Sequence, residues 1–364
     1  MENKKTKHSA LQEKDGVSHT AIIGTNAVEQ IQRFRKKQPS PKELIDGILS
    51  GNIADLSRAI TLVESTNENH LAKATEIINA CLHFANQSIR IGITGIPGVG
   101  KSTFIEAVGK HLTSIGKKIA VLAVDPSSTI SHGSILGDKT RMEELVKDSN
   151  AYIRPSASGA TLGGVARKTR ETIILCEAAG FDTILIETVG VGQSETAVHS
   201  MVDFFLLLKI SGAGDELQGI KRGIMEMADA IIINKADGDN IKKANDAKAE
   251  FRQALHLFPA KISGWTPTIS TCSAITHDGI PEVWETVEKF LELTKGNDYF
   301  FTKRAEQNQY WMLETINEKL KTAFYNHPEI VKLLDSTKKA VQNNEISPFV
   351  AAQNLLEKYL NDKI

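Results

Sequence analysis

The spacing of apolar residues divides the chain into a leader, two helical stretches and a central stretch of different texture. Residues 1–31 are polar and show no period, so we expect a disordered leader there. From 32 to 87, apolar residues such as Leu44 and Ile48 recur every three or four positions, which predicts an N-terminal helical segment. The helical period returns over 291–364 and predicts a C-terminal helical region.

Between 88 and 290, short β-rich runs alternate with helical or glycine-rich segments. The runs are nearly continuous in apolar residues, which is typical of strands that are buried on both faces. Strands separated by helical lengths imply right-handed crossovers, so we predict an α/β domain with a mostly parallel, doubly wound sheet. The predicted strands are residues 89–94, 118–124, 183–187, 204–210, 230–233 and 268–271.

Composition and charge narrow the classes of partner and the compartment. The chain has 364 residues, with 43 basic and 44 acidic side chains and a formal net charge of −1. This balance provides no strong field for nucleic acid or an anionic membrane, and we expect neither as a partner. The 3 cysteines are far apart and form no Cys-x-x-Cys pair, which indicates reduced thiols in the cytoplasm. No apolar run approaches the roughly 18 residues that cross a bilayer.

A phosphate-binding loop (P-loop) follows the first predicted strand, where the chain reads Gly-Ile-Pro-Gly-Val-Gly-Lys-Ser-Thr from residue 95. In the pattern G-x-x-x-x-G-K-[ST], glycines let backbone N–H groups turn inward around phosphates at a helix N-terminus. We expect Lys101 to reach the β- and γ-phosphates and the Ser102 hydroxyl to bind Mg²⁺. Further phosphate contacts are predicted for Gly98, Val99, Gly100 and Thr103.

A second motif, Asn-Lys-Ala-Asp, ends a later predicted strand and is suited to guanine. The Asp237 carboxylate can accept hydrogen bonds from guanine N1–H and the 2-amino group. We expect Asn234 to face the other edge of the base and the Lys235 stem to pack along it. Adenine offers an acceptor where guanine has N1–H, so the motif favours GTP and GDP over ATP. Ser273 and Ala274, which close the next strand, are expected to add backbone contacts to the base.

Two predicted strands between these motifs end in acidic residues, Asp125 and Glu187. A carboxylate at a strand end beside the P-loop can hold Mg²⁺ or its waters, and Gly190 can offer its N–H to the γ-phosphate. Asp138, in the loop after the second strand, is a further metal-ligand candidate. We expect Lys101, Asp125 and Glu187 to carry GTP hydrolysis. Intrinsic turnover should be slow, because phosphoryl transfer needs charge stabilisation that partners often supply.

Taken in chain order, the motifs resemble those of the MeaB/ArgK-type GTPases, the methylmalonyl-CoA mutase-associated proteins of the SIMIBI class of P-loop NTPases. The resemblance covers about residue 40 to the end of the chain. Its most specific parts are Glu-Thr-Val-Gly-Val-Gly-Gln-Ser-Glu at 187–195 and Gly-Ala-Gly-Asp-Glu-Leu-Gln-Gly-Ile-Lys at 212–221. It also includes Val-Asp-Pro-Ser-Ser at 124–128 and Thr-Leu-Gly-Gly-Val-Ala at 161–166.

The resemblance implies a GTPase that serves as a chaperone for an adenosylcobalamin-dependent acyl-CoA mutase, first of all methylmalonyl-CoA mutase. Such proteins couple GTP binding and hydrolysis to loading of the cofactor and to protection of the mutase from inactivation. The resemblance makes 88–290 a GTPase domain and 291–364 a dimerisation arm, so it also implies a homodimer. It adds the mutase's cobalamin adenosyltransferase as a further partner to consider.

The resemblance also implies three mobile loops that respond to the nucleotide. Asp138 lies in the first loop, residues 187–193 form the second, and residues 212–221 form the third. By position in these loops, the candidate switch residues are Gln193, Asp215, Gln218 and Lys221. The residue that positions the attacking water stays open, because Gln193 does not directly follow Gly190.

Two other classes of P-loop protein stay open at this point. A nickel metallochaperone GTPase would tend to carry a metal-loading segment rich in His or Cys, whereas the leader has only His8 and His19. A small-molecule kinase would need a substrate pocket and an acceptor base, and the sequence identifies neither.

Overall fold

A parallel sheet forms the centre of the chain. The computed structural model describes residues 39–124, 142–155, 162–188, 194–212 and 222–361. Its strands are β1 (Ile89–Gly95), β2 (Ile119–Val124), β3 (Ala151–Arg154), β4 (Thr183–Thr188), β5 (Phe204–Ile210), β6 (Ala230–Asn234) and β7 (Thr268–Thr271). In the described residues they form one 7-stranded sheet in the order β3-β2-β4-β1-β5-β6-β7, and every neighbouring pair is parallel. The predicted doubly wound α/β fold is confirmed, with a sheet that is parallel throughout.

The prediction from the sequence missed strand β3, which has no counterpart among the predicted strands. Its residues are Ala-Tyr-Ile-Arg, at the edge of the sheet beside β2, and only Tyr152 and Ile153 are buried. An edge strand this short lacks the continuous apolar run that marks strands buried on both faces. The other strands begin and end within one residue of the predicted positions.

Helices cover both faces of the sheet. Those of the described residues are α1 (Pro41–Leu49), α2 (Ile53–Glu64), α3 (Glu68–Cys81), α4 (Lys101–Ser114), α5 (Leu162–Ala178), α6 (Ser194–His199), α7 (Arg222–Met227), α8 (Ile241–Leu255), α9 (Ile280–Gly296), α10 (Tyr299–Tyr325), α11 (Pro328–Gln342) and α12 (Pro348–Asn361). Successive residues of a strand point to opposite faces, so Ala120 and Leu122 join one apolar core and Val121 joins the other. Helices α1, α2, α3 and α5 complete the first core, and α4 and α9 complete the second.

The N-terminal helices α1, α2 and α3 are fixed to the sheet through the end of α2. Helix α2 begins where Asn52 Oδ1 accepts hydrogen bonds from N–H groups of the first turn at 2.9 and 3.3 Å. At its other end, the Glu64 carboxylate accepts from Arg154 Nε at 3.1 Å, and the Glu64 carbonyl accepts from Lys168 Nζ at 2.5 Å. These bonds join α2 to the end of β3 and to α5.

Helix α10 connects the sheet to the C-terminal helices. Its buried residues are Phe300, Arg304, Gln307 and Trp311, all in its first half. Arg304 Nε and Nη2 donate to the two carboxylate oxygens of Asp203, just before β5, at 2.8 and 2.6 Å. The second half of α10 exposes Leu313, Ile316 and Leu320. Within the described ranges, no helix is long and apolar enough to cross a membrane.

The direction of the strands decides where a site can form. Because all strands are parallel, their carboxyl ends meet at one edge of the sheet, where ligands bind in open α/β folds. The P-loop follows β1, Glu187 is the last but one residue of β4, and the two predicted base-contact segments lie at the ends of β6 and β7.

Candidate functional site

The P-loop has the backbone geometry that its glycines allow. Gly95 has φ +156°, and a Cβ there would lie 2.6 Å from the Leu208 carbonyl oxygen. Gly100 has φ +91°, and a Cβ there would lie 2.9 Å from Asn234 Nδ2. Other residues would be strained or would clash at these positions. Helix α4 begins at the next residue, Lys101, so the loop ends at a helix N-terminus that favours anions.

The Lys101 ammonium group lies inside the P-loop. Its Nζ donates hydrogen bonds to the carbonyl oxygens of Gly95 at 2.8 Å and Ile96 at 3.3 Å, and the side chain is buried. A positive charge held within the loop can stabilise the negative charge of a triphosphate. The predicted position of Lys101 at a phosphate site is compatible with this geometry.

Ser102 and Glu187 bring two oxygen donors together beside the P-loop. Strands β1 and β4 are neighbours in register, with Ile93 opposite Glu187. Ser102 Oγ donates to Glu187 Oε1 at 3.4 Å, and Glu187 is buried. Behind this pair, Thr188 Oγ1 donates to Thr94 Oγ1 at 2.8 Å and links the two strand ends. Hydroxyl and carboxylate oxygens are the ligands that Mg²⁺ prefers, so the donor set fits this ion.

Asn234 joins the P-loop to the segment after β7. Its side chain is 1% exposed, and Nδ2 donates to the Val99 carbonyl oxygen at 3.0 Å. Its Oδ1 accepts from the Ala274 N–H at 3.4 Å and from the Cys272 thiol at 3.5 Å. Both polar atoms of the amide therefore contact protein groups, and contact of Asn234 with the base stays a prediction.

Lys235 and Asp237 lie on the turn after β6. Lys235 adopts the left-handed conformation, with φ +59°, and its Nζ donates to the Gly98 carbonyl oxygen at 2.9 Å. The Asp237 carboxylate accepts from Ser273 Oγ at 2.5 Å, while Ser273 Oγ accepts from the Thr276 N–H at 3.1 Å. The hydroxyl thus fixes the carboxylate at the edge of the sheet.

Together these contacts place most of the predicted P-loop and base-contact residues around one edge of the sheet. Seven predicted site residues lie outside the described residues: Asp125, Asp138, Gly190, Gln193, Asp215, Gln218 and Lys221. The leader, 1–31, also lies outside them. The roles of these residues stay predictions.

Two residues of the site are absent from the sequence predictions. Asn240 Nδ2 donates to the Lys235 carbonyl oxygen at 2.6 Å, and Asn240 Oδ1 accepts from Ser211 Oγ at 2.7 Å. The only sequence signal is an asparagine ahead of a helical pattern, which by itself indicates a helix cap.

Comparison with known proteins shows the family to which the chain belongs. The family model described as "Methylmalonyl Co-A mutase-associated GTPase MeaB" matches residues 56–329. The chain belongs to the MeaB family of GTPases. As a member of this family, it is a P-loop enzyme that binds guanine nucleotides and hydrolyses GTP.

Curated relatives and a solved structure agree with the MeaB assignment. A probable GTPase of Mycobacterium tuberculosis is 47% identical over 319 residues, which cover 86% of this chain and 95% of that protein. The mitochondrial methylmalonic aciduria type A homolog of Mus musculus is 46% identical over 356 residues, covering 95% of this chain and 86% of that protein. The crystal structure of a LAO/AO transport system kinase is 37% identical, has a TM-score of 0.71, and covers 88% of this chain and 98% of that chain.

Proposed function

We propose that the chain binds GTP across the edge of the sheet, with the triphosphate in the P-loop and the guanine at Asp237. One observation carries this proposal: Asn234 and Lys235 donate directly to P-loop carbonyls at 3.0 and 2.9 Å. The phosphate and base segments are therefore in direct contact, as a site for a single nucleotide requires. The Ser273 hydroxyl holds the Asp237 carboxylate for guanine N1–H and the 2-amino group.

In this proposal the charged and oxygen-bearing residues divide the work of hydrolysis to GDP and phosphate. Lys101 neutralises charge on the β- and γ-phosphates from within the loop. Ser102 and Glu187, with Asp125 and Asp138, are the residues that would hold Mg²⁺. When bound, Mg²⁺ supplies charge neutralisation on the phosphate oxygens. Gly190 would donate its N–H to the γ-phosphate, and switch residues Gln193, Asp215, Gln218 and Lys221 would report the nucleotide state.

We propose further that the GTPase acts as a chaperone for an adenosylcobalamin-dependent acyl-CoA mutase, methylmalonyl-CoA mutase first of all. The names of the family and of one relative support this client: the family is described as methylmalonyl-CoA mutase-associated, and the mouse relative is a methylmalonic aciduria type A homolog. GTP turnover would accompany loading of the cofactor and protection of the mutase. The cobalamin adenosyltransferase is a second proposed partner, because it would deliver that cofactor.

A homodimer is the proposed assembly, formed by the C-terminal helical region from residue 291. The exposed apolar side chains of α10, α11 and α12 support it: Leu313, Ile316, Leu320, Val331, Phe349, Leu356 and Leu360. Between α11 and α12 lies an apolar groove of about 360 Å³. Large exposed apolar patches on a protein surface often mark interaction sites.

We also propose a cytoplasmic location. Cys81, Cys176 and Cys272 are all buried with free thiols, and burial raises the pKa of Cys81 to about 11 and of Cys272 to about 12. Unpaired, protonated thiols are typical of proteins kept in a reducing compartment.

The client can be tested by mixing the purified chain with the methylmalonyl-CoA mutase of the same organism. We expect GTP hydrolysis to rise at least about tenfold, because partners often supply the missing charge stabilisation. We also expect the mutase to be retained on the immobilised chain, with GDP and with a non-hydrolysable GTP analogue giving different amounts. With Lys101→Ala, the amount of retained mutase should be the same for both nucleotides. An unchanged hydrolysis rate together with no retention of the mutase would contradict the proposal.

A further inference from the structure

Asn240 stands at the position of a helix cap but does not act as one. It is the last residue of a 3₁₀ turn, Gly238–Asn240, and directly precedes helix α8. Asparagine at such a position usually accepts a hydrogen bond from an N–H of the first helical turn. Among the described residues, the side chain of Asn240 makes no such bond with α8. It contacts Lys235 and Ser211 instead, at 2.6 and 2.7 Å.

The contact with Lys235 holds an unfavourable backbone conformation in place. Lys235 has φ +59°, a region that residues with a Cβ adopt at an energetic cost. Its carbonyl oxygen accepts from Asn240 Nδ2, and its Nζ donates to the Gly98 carbonyl oxygen. The next residue, Ala236, donates its N–H to the Cys272 carbonyl oxygen at 2.9 Å. This turn determines the direction in which the chain presents Asp237.

Ser211 completes the hydrogen bonding of the Asn240 amide. The Lys235 carbonyl oxygen can only accept, so it takes the Nδ2 donor, and Oδ1 accepts from the Ser211 hydroxyl. Ser211 directly follows β5, whose last residue, Ile210, pairs with Asn234 at the end of β6. A chain of hydrogen bonds therefore runs from the end of β5 through Asn240 and Lys235 to the P-loop.

We propose that Asn240 and Ser211 are positioning residues for guanine recognition. They hold the Lys235 peptide in its left-handed conformation and thereby aim the Asp237 carboxylate at the 2-amino edge of the base. The proposal rests on the proposed function, in which Asp237 accepts hydrogen bonds from guanine.

The test compares the affinities of the full-length chain for GDP and IDP, because hypoxanthine lacks only the 2-amino group of guanine. Asn240→Asp keeps the size of the side chain and an acceptor for Ser211, but places an acceptor against the Lys235 carbonyl oxygen. We expect the preference for GDP over IDP to fall about tenfold, the net contribution of one well-placed hydrogen bond. Ser211→Ala should lower the same preference by roughly threefold. The double variant should lose no more than Asn240→Asp alone, because both changes break one chain of bonds.

The matched control is Asn343→Asp, at an exposed asparagine that bonds Glu345 at the end of α11. It should keep the GDP preference of the wild type. Thermal unfolding without nucleotide establishes that each variant is folded; if Asn240→Asp does not fold, Ser211→Ala carries the test.

The outcomes separate the two claims. An unchanged GDP preference in the folded variants, or an equal loss for GDP and IDP, would overturn the positioning role. If the wild type shows no preference, or if Asp237→Asn keeps it, base reading by Asp237 is wrong and the positioning role falls with it. If Asp237→Asn abolishes the preference while Asn240→Asp and Ser211→Ala leave it intact, only the positioning role is wrong.

Discussion

Three side chains of the proposed nucleotide site donate to carbonyl oxygens of the P-loop. Lys101 bonds the carbonyl at position 95, Lys235 the carbonyl at 98, and Asn234 the carbonyl at 99. The C=O and N–H groups of a peptide point in opposite directions. A bond that fixes a carbonyl therefore also fixes the direction of the N–H group of the same peptide. At the residue scale, the loop is shaped by its own lysine and glycines and by two side chains of the distant Asn-Lys-Ala-Asp motif.

The sequence predicts those residues of this site that belong to a continuous motif. The residues of the P-loop and of Asn-Lys-Ala-Asp are neighbours in the sequence, and each motif follows an apolar run. Their positions at strand ends can therefore be predicted from the sequence. The Ser211–Asn240 contact joins residues 29 positions apart and depends on β5 and β6 lying side by side. No local pattern in the sequence records that pairing, and an asparagine ahead of a helical pattern indicates only a helix cap.

His199 provides a residue-scale prediction about pH. It ends α6, and its ring is perpendicular to that of Phe205, with 5.4 Å between the ring centroids. Burial, and then the nearby Lys303, lower the pKa of His199 to about 4. Below about pH 6.5 the unfolded chain binds a proton that the folded chain does not. This contribution to stability is therefore complete above pH 6.5 and is lost as the pH falls toward 4.

Urea unfolding at pH 7 and pH 5 should show this effect. We expect His199→Gln to lose about 2 kcal/mol less stability than the wild type between the two values. The control is His256→Gln, at an exposed histidine, which should lose as much stability as the wild type between pH 7 and pH 5. Equal losses in His199→Gln and the wild type would refute the assignment of a lowered pKa.

At the scale of elements, α10 is fixed by a buried charge network. Arg304 bonds Asp203, and the Asp203 carboxylate also accepts from the Arg90 N–H at 2.8 Å. Beside them, Arg90 pairs with Glu177 of α5 at 2.9 Å, and both side chains are buried. Burial raises the pKa of Asp203, but the hydrogen bonds and positive charges of Arg304 and Arg90 together outweigh it and hold that pKa below its ordinary value. The network ties α5, β1, β5 and α10 together at the edge opposite the nucleotide site.

Arg304→Met should therefore be strongly destabilising. It leaves Asp203 charged and buried without its main partner, which typically costs about 3–5 kcal/mol. Chemical denaturation measures the change. Changing Asp203 to Asn as well should recover part of the loss, since no uncompensated charge remains. Lys332→Met, which breaks an exposed pair with Glu329, is the control and should leave stability unchanged. A loss no larger than that of the control would show that the network contributes nothing.

Strands that are more fully buried are predicted more accurately from the sequence. Strands β1, β2, β4, β5 and β6 are buried on both faces, and their continuous apolar runs predict them to within one residue. Strand β3 is short and lies at the edge, so its identity depends on pairing with β2, which no local pattern records. The period of apolar residues predicts the long helix α10. The sequence does not predict that its first half is buried and its second half exposed, because this depends on the contact between Arg304 and Asp203.

At the scale of the whole molecule, the exposed apolar surface of α10, α11 and α12 leads to a prediction about assembly. A chain ending at Lys319 keeps the buried anchors Phe300, Arg304, Gln307 and Trp311 and loses α11 and α12. We expect light scattering to find the full chain as a dimer at micromolar concentration and the shortened chain as a monomer. GDP affinity should be the same in both. A shortened chain that stays dimeric, or a full chain that is monomeric, would contradict a C-terminal dimerisation arm.

The proposed function depends most directly on guanine recognition by Asp237, and one substitution tests this recognition by a gain as well as a loss. Asp237→Asn presents an amide N–H₂ group where the 2-amino group of guanine points, so donor meets donor. Xanthine has a carbonyl at that carbon and would pair with the amide. Competition binding of GTP, xanthosine triphosphate and ATP to both proteins is the measurement. We predict a swing from GTP to xanthosine triphosphate on the order of several kcal/mol, with ATP weak in both. A variant that keeps the wild-type preference for GTP would contradict the claim.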